Sequence, residues 1–323
     1  MATTPRLKIA LATYGHTAAI KDGRVKIEGV DPDFVEVVPI IGAFRRMVRD
    51  LEFDVCEMAP TTYMIARGLG APFIALPVFL MRRFHHGGFV CRPDSGIRTP
   101  KDLEGKKVGV RAYSVTTGVW TRGIFVNEYG LDSSKVTWVV DDEEHVTSLK
   151  LPPNVVHAPE GKSLAGMMAS GEISAAFTGN AGIGRAGSPT GDWQQTGTAE
   201  TYPELIADVA QTEADWFKRT KIYPIHGSVV VKTEVLEKHP HVAKSLVDAF
   251  AAAKAIYMDR LKSGQGDSAD DKKYRGLMPV VGDPLPYGMK ENAASIEAML
   301  TYGLQQGLIP RRMALNEVFV DPS

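Results

Sequence analysis

The stretch RRFHHGGFV, residues 82–90, gathers two arginines, two histidines and an aromatic side chain just before an apolar run. An arginine fork grips a carboxylate through two parallel hydrogen bonds. An imidazole titrates near neutral pH. Together these groups suit a site that holds a small acidic molecule and moves a proton on it. Read as strand, the segment alternates faces. One of Arg82 and Arg83, and one of His85 and His86, then reaches the site. The other arginine is expected in a surface ion pair, and the other histidine in a structural or solvated position. A second group lies in RAYSVTT, residues 111–117. Arg111 opens the loop after a strand, and Tyr113, Ser114, Thr116 and Thr117 lead into a helix. The first N–H groups of a helix point at anions, so this is the expected carboxylate cradle. Arg122, one turn on, is expected as an ion-pair partner.

Other chemistries find less support. Two adjacent histidines without a further ligand at helical spacing are not a metal motif, and no metal or cofactor is expected. Cys56 sits in an apolar strand and Cys91 has no evident base, so thiol nucleophilic catalysis is not expected. His145, His157, His239 and His241 fall in expected loops or helix starts and receive no role. The 323 residues carry a formal net charge of −1 without a basic block, which argues against nucleic acid and anionic membranes as partners. Hydrophobic residues make up 44% and charged residues 23%, so a packed protein is the default. No segment reaches the roughly 20 apolar residues of a membrane span. MATTPRLKIALATYG reads as a first strand rather than a secretory leader, so a cytoplasmic location is expected.

The elements that must position these groups alternate. Strands are expected at 7–13, 34–38, 53–56 and 71–79, with helices at 42–49 and 60–67 between them; Pro60 suits a first helical turn. This is the rhythm of a parallel sheet with helical crossovers. A second α/β unit follows the turn at 92–96, with strands at 107–110 and 136–140. Between them a helix over 116–128 is stopped by Gly130. A short helix over 163–170 places Leu164, Met167 and Met168 on one face, as core. Residues 222–232 are extended again. Val242, Leu246, Ala249, Phe250, Ala253 and Ile256 make one helical stripe. Residues 263–273 are polar and Gly-containing, and are expected as a mobile loop. Ile296, Met299, Leu300 and Leu304 line a last helix before Gly307 and Pro310.

DLEGKKVGV (102–110) followed by ASGEISAAF (169–177) resembles the second lobe of a type II periplasmic-binding-protein fold. DGRVKIEGVD (22–31), EFDVCEM (52–58), PVFLMRRFHH (77–86), VWTRGIFVNEYG (119–130), DPLPYGMKEN (283–292) and GLIPRRMALNEVF (307–319) together resemble the 4,5-dihydroxyphthalate decarboxylase family, in the family's order and along nearly the whole chain. The resemblance implies a two-lobe α/β fold. Lobe one is residues 1–86 and 225–323, lobe two is 87–224, and the ligand lies between lobes at strand C-termini. It implies a cytoplasmic, cofactor-independent decarboxylase of a hydroxylated aromatic dicarboxylate, such as 4,5-dihydroxyphthalate to protocatechuate and CO2. The partner is a small aromatic carboxylate, and assembly into a homo-oligomer is expected. The alternative is a solute-binding or sensor protein for an aromatic acid or similar anion.

Such a reaction protonates the ring carbon that loses the carboxylate. It needs a general acid, a cationic anchor for the retained carboxylate and polar groups on the phenolic oxygens. By resemblance the chain crosses between lobes at 83–90 and 223–231, so His226 is the group expected to oppose His86 or His85. Tyr14 and His16 follow the first strand, where this fold presents ligand groups. Thr178 and Asn180 follow the strand AAF, where the family places a proline and an arginine. His226 stands one position before the family's histidine, and TYGHT (13–17) lacks the family's aspartate near Gly15. These departures fall at expected ligand-facing positions and bear on which substrate is taken. A divalent ion held by Glu57 and a histidine is the less favoured variant.

Overall fold

The computed structural model describes residues 4–186, 194–195 and 202–322. The chain divides into two compact units. One is 1–83, 220–297 and 313–323; the other is 84–219 and 298–312.

The first unit opens with β1 (Arg6–Ala10), the single turn α1 (Ala18–Lys21), β2 (Asp31–Phe34), α2 (Ile41–Asp50), β3 (Val55–Met58), α3 (Pro60–Gly68) and β4 (Phe73–Arg82). Strand β2 ends earlier than its β-rich sequence suggests. Val35 N still donates to Ile9 O at 2.8 Å, but the chain then leaves the sheet and Val38 is 90% exposed. All four residues of β3 are buried, Glu57 included. A carboxylate inside such a run needs dedicated partners, because burying a charge without them is costly.

The second unit holds β5 (Phe89–Cys91), β6 (Lys107–Gly109), α4 (Thr116–Tyr129), β7 (Thr137–Val140), β8 (Val155–His157), α5 (Leu164–Ser170) and β9 (Ala175–Phe177). A short antiparallel ribbon, β10 (Arg185–Ala186) with β11 (Gln194–Gln195), precedes α6 (Val209–Thr220). Its main sheet has the order β5-β9-β6-β7-β8, parallel except for β5 on β9. Gly130 ends α4 in the left-handed conformation, as the sequence indicates. Leu164, Met167 and Met168 are buried core, also as expected.

The chain returns to the first unit as β12 (Ile225–Lys232), antiparallel to both β3 and β4, giving the order β2-β1-β3-β12-β4. Then follow α7 (Thr233–Lys238), α8 (His241–Lys262), α9 (Ala269–Val281), α10 (Ala293–Gln305) and α11 (Leu315–Val318). Two expectations are corrected here. The stripe on α8 is buried from Val242 to Ala253, but Ile256 is 43% exposed, and Tyr257, Met258 and Leu261 carry the apolar face onward. Residues 263–273 are not a loop throughout. Ser268 and Asp271 form a reciprocal capping box that starts α9 at Ala269.

Residues 298–312 cluster with the second unit, whereas the sequence places them in lobe one. Their side chains explain it. The Tyr302 ring packs edge-on to Trp120 at 5.6 Å, and a Cβ on Gly123 would sit 2.0 Å from that tyrosine. Gln306 accepts from Arg122 Nε at 2.8 Å and donates to Val119 O at 2.8 Å. Among the described residues no helix is long and apolar enough to cross a membrane.

Candidate active site

The RRFHH segment does not behave as one strand. Strand β4 stops at Arg82, so the alternation of faces does not extend to the histidines. Arg82 is 1% exposed. It donates to Asn292 Oδ1 and Tyr223 O, and its guanidinium stacks over the Tyr223 ring at 4.6 Å. Burial pulls its pKa down to about 10, opposed in part by Tyr223 and Asp283. This arginine ties β4 to the 284–295 segment and is not the surface ion pair expected of the second arginine.

Arg83 has the other fate. It keeps solvent access and donates from Nη2 to His226 Nε2 at 3.0 Å. A guanidinium has only donors, so this nitrogen of His226 must accept and the ring proton is assigned to Nδ1. Desolvation, then the positive charges of Arg83 and Lys273, hold His226 well below the ordinary histidine range. His226 is thus a neutral imidazole at neutral pH: a hydrogen-bonding group, and a poor source of a proton. Desolvation also lowers Arg83.

The loop after β1 builds a second cluster in the same unit. His16 is 1% exposed, and neither ring nitrogen reaches a partner in good geometry among the described residues. The Leu80 backbone is close enough to the ring to favour its protonated form, without meeting hydrogen-bond geometry. Tyr14 stacks on the imidazole at 5.4 Å with planes 7° apart, and Tyr257 and Tyr274 close in at 5.8 and 6.5 Å. Burial pulls His16 down to about 4. Inside this aromatic enclosure the ring nitrogens keep hydrogen-bonding capacity that no well-formed contact among the described residues uses. Gly15 permits the enclosure, since a Cβ there would sit 2.2 Å from the Tyr257 ring. An aspartate, as the family resemblance implies near this position, would not fit at Gly15 without displacing that ring.

Helix α9 links the two clusters. Its Tyr274 faces His16, its Lys273 contributes positive charge at both His16 and His226, and Lys273 pairs with Asp270 at 3.3 Å. Tyr257, Lys273 and Tyr274 were not singled out from sequence. They lie some 240–260 positions from His16 on helical faces, where tyrosine reads as core.

In the second unit, Arg111 is buried and its Nη1 bonds Asp142 Oδ2 at 3.0 Å. The expected cradle exists and already holds a carboxylate. Glu144 accepts from Tyr113 N at 2.6 Å, from Ser114 N at 3.1 Å and from Ser114 Oγ. Thr116 and Thr117 are buried at the start of α4. Arg122 is not an ion-pair partner. Fully buried, it donates to Gln306 and to Tyr113 O, and its guanidinium lies between the Tyr113 and Trp138 rings at 4.0 and 5.1 Å. Thr178 donates through N to Gly88 O at 2.9 Å, and Asn180 is exposed in a short 3-10 turn.

Both histidines of the segment are buried in this unit. His85 lies parallel to Trp120 at 6.5 Å, and its carbonyl accepts from Thr121 Oγ1 at 3.0 Å. His86 sits edge-on to Trp216 at 5.0 Å with Nδ1 3.8 Å from Glu213 Oε1. That distance suits an ion pair, but burial opposes one. Burial pulls His86 down to about 4 and pushes Glu213 up to about 7, so the contact joins a neutral ring to a carboxyl near its midpoint. A carboxyl with a raised folded-state pKa binds its proton more tightly than in the unfolded chain, so its contribution to stability falls as pH rises from about 4.5 to about 7. Glu213→Gln should therefore gain stability relative to the parent, by on the order of 1–3 kcal/mol, between about pH 5 and about pH 8 in urea unfolding. A stability difference that is flat across this range would exclude the buried carboxyl.

Against this geometry the likeness to known proteins is informative. Residues 29–189 match the family model of the periplasmic substrate-binding protein of phosphonate ABC transporters. The periplasmic aliphatic sulphonate binding protein of Escherichia coli superposes with a TM-score of 0.54 at 12% identity, covering 99% of this chain and 93% of that one. The fold is therefore periplasmic-binding-protein-like, as expected. A 4,5-dihydroxyphthalate decarboxylase of Pseudomonas putida is 40% identical over 52% of this chain and 68% of its own length. A 4,5-dihydroxyphthalate decarboxylase of Comamonas testosteroni is 33% identical over 97% of this chain and 96% of its own. A likeness of that depth along both chains makes this protein a member of the 4,5-dihydroxyphthalate decarboxylase family.

Proposed function

We propose that this protein is a carboxy-lyase that converts 4,5-dihydroxyphthalate, or a close analogue, to protocatechuate and CO2. The observation that carries the reading is the full-length membership in a family named for that activity. The geometry agrees with what the chemistry requires. One proton replaces one CO2 at a ring carbon, and the hydroxyl para to that carbon feeds electrons into the ring as the proton arrives. Arg83 is the anchor for the retained carboxylate: a cation with solvent access, oriented on His226. His226, kept neutral, holds a phenolic oxygen. His16 handles the proton, because its two unmet nitrogens are the unused hydrogen-bonding capacity of the cluster. A bound dianion would raise its pKa from the low value of the empty protein.

The location and assembly that go with this reading are the cytoplasm and a homo-oligomer. The named activity of the relatives supports the first, and sedimentation velocity reads the second. The test of function is incubation of the purified protein with 4,5-dihydroxyphthalate, with CO2 and protocatechuate followed together. Stoichiometric release of both is the expected result. Binding of the diacid by calorimetry with no product would replace catalysis by a solute-binding role.

A further inference from the structure

Glu57 is 2% exposed in the middle of the first unit's sheet. Its carboxyl oxygens take two hydrogen bonds, one from Tyr14 Oη at 2.7 Å and one from Ala12 N at 3.2 Å. No cation pairs with it among the described residues. Lys21 is a source of positive charge that acts on it, and its ammonium is engaged with Leu11 O and Glu36. The other titratable neighbour is the Cys56 thiol, itself pushed up by burial. Tyr14 therefore stands between a buried carboxyl and the stacked ring of His16.

A hydroxyl has one proton to donate. While Glu57 is ionised it can only accept, and the Tyr14 proton must point back into the sheet. Once Glu57 is protonated, it can donate to Tyr14 Oη, and the tyrosine proton is released to point elsewhere. We propose that Glu57 is a positioning residue of the decarboxylation, whose gain or loss of one proton switches the Tyr14 hydroxyl between facing the sheet and donating to the substrate beside His16. Burial, opposed by the bonds from Tyr14 and Ala12, sets Glu57 at about 7, so both settings are populated near neutral pH. The Tyr14 phenol is itself raised, by burial first and then by Glu57, so it remains protonated throughout.

The inference rests on the decarboxylase reading, and its test has an arm that does not. In substrate-free protein labelled with [13Cζ]tyrosine, the Tyr14 resonance, identified by its loss in Tyr14→Phe, should shift with a midpoint near pH 7. It should not shift in Glu57→Gln, whose amide cannot titrate. A Tyr14 resonance that is flat in the parent protein, or that titrates unchanged in Glu57→Gln, overturns the proposal whatever the substrate. With 4,5-dihydroxyphthalate, kcat/KM of the parent should fall about tenfold per pH unit above 7, and Glu57→Gln should flatten that limb. An alkaline limb retained in Glu57→Gln, with both proteins folded and turning over, also overturns it. A parent protein with no turnover but a Tyr14 titration abolished in Glu57→Gln sinks the decarboxylase reading and leaves the switch standing.

Discussion

His16→Asn should lower turnover of 4,5-dihydroxyphthalate by roughly 10²–10⁴-fold while KM changes far less, the range typical of a lost proton-transfer group. The expectation follows from the position of the ring. A core histidine kept for packing alone would have at least one well-formed hydrogen bond to the protein, and among the described residues His16 has only the poorly aligned approach of the Leu80 backbone. Asparagine keeps a polar group of similar reach but cannot exchange a proton at neutral pH. Tyr14, Tyr257 and Tyr274 would still enclose the site, so diacid binding should survive and be measurable by calorimetry. Equal turnover in the variant and the parent would remove His16 from the chemistry and return the proton to another group.

The alternation of strands and helices was legible because buried strands, such as the apolar end of β1 at Ile9–Ala10 or the VCEM run of β3, are followed by turn residues and then a helical period. Glycine and capping signals gave the end of α4. The same signal at Ser268–Asp271 was hidden by the polar, glycine-containing composition around it, although a Ser followed three residues later by an acid is itself a helix start. The site was legible only in part. Arg82 and Arg83 do diverge, but Arg83 lies just past the end of β4, and the inward choice for Arg82 depends on Asn292 and Tyr223, far away in sequence. The alternation of faces does not reach His85 and His86 because β4 ends at Arg82, and a periodicity has no force past the end of its element. Glu57 carried a visible signal, a lone acid inside an apolar strand. Its meaning came from Tyr14, 43 residues earlier, which only the fold brings within 2.7 Å. Glu144, which fills the cradle expected for a ligand carboxylate, follows the same logic: the sequence reveals where a carboxylate is welcome, and the fold decides whose it is.

Arg83→Gln should weaken binding of the diacid by about 2–5 kcal/mol, or roughly 30- to 5,000-fold in Kd, the range for removal of one partner of a charge pair that ligand binding desolvates. Glutamine can still donate one hydrogen bond to His226, so the imidazole stays oriented and the loss reports the cation. A coupled shift makes the test specific. Arg83 is the second largest cause, after desolvation, of the depressed His226 pKa, and Lys273 adds to it. Without the guanidinium, His226 should therefore titrate at higher pH than in the parent, while burial and Lys273 keep it below an ordinary histidine. Nitrogen-15 NMR of the imidazole in both proteins reads this directly. Unchanged affinity together with an unchanged His226 titration would mean that the 3.0 Å contact is not maintained in solution. Weakened affinity with an unchanged titration would separate the two functions and leave Arg83 acting on the substrate alone.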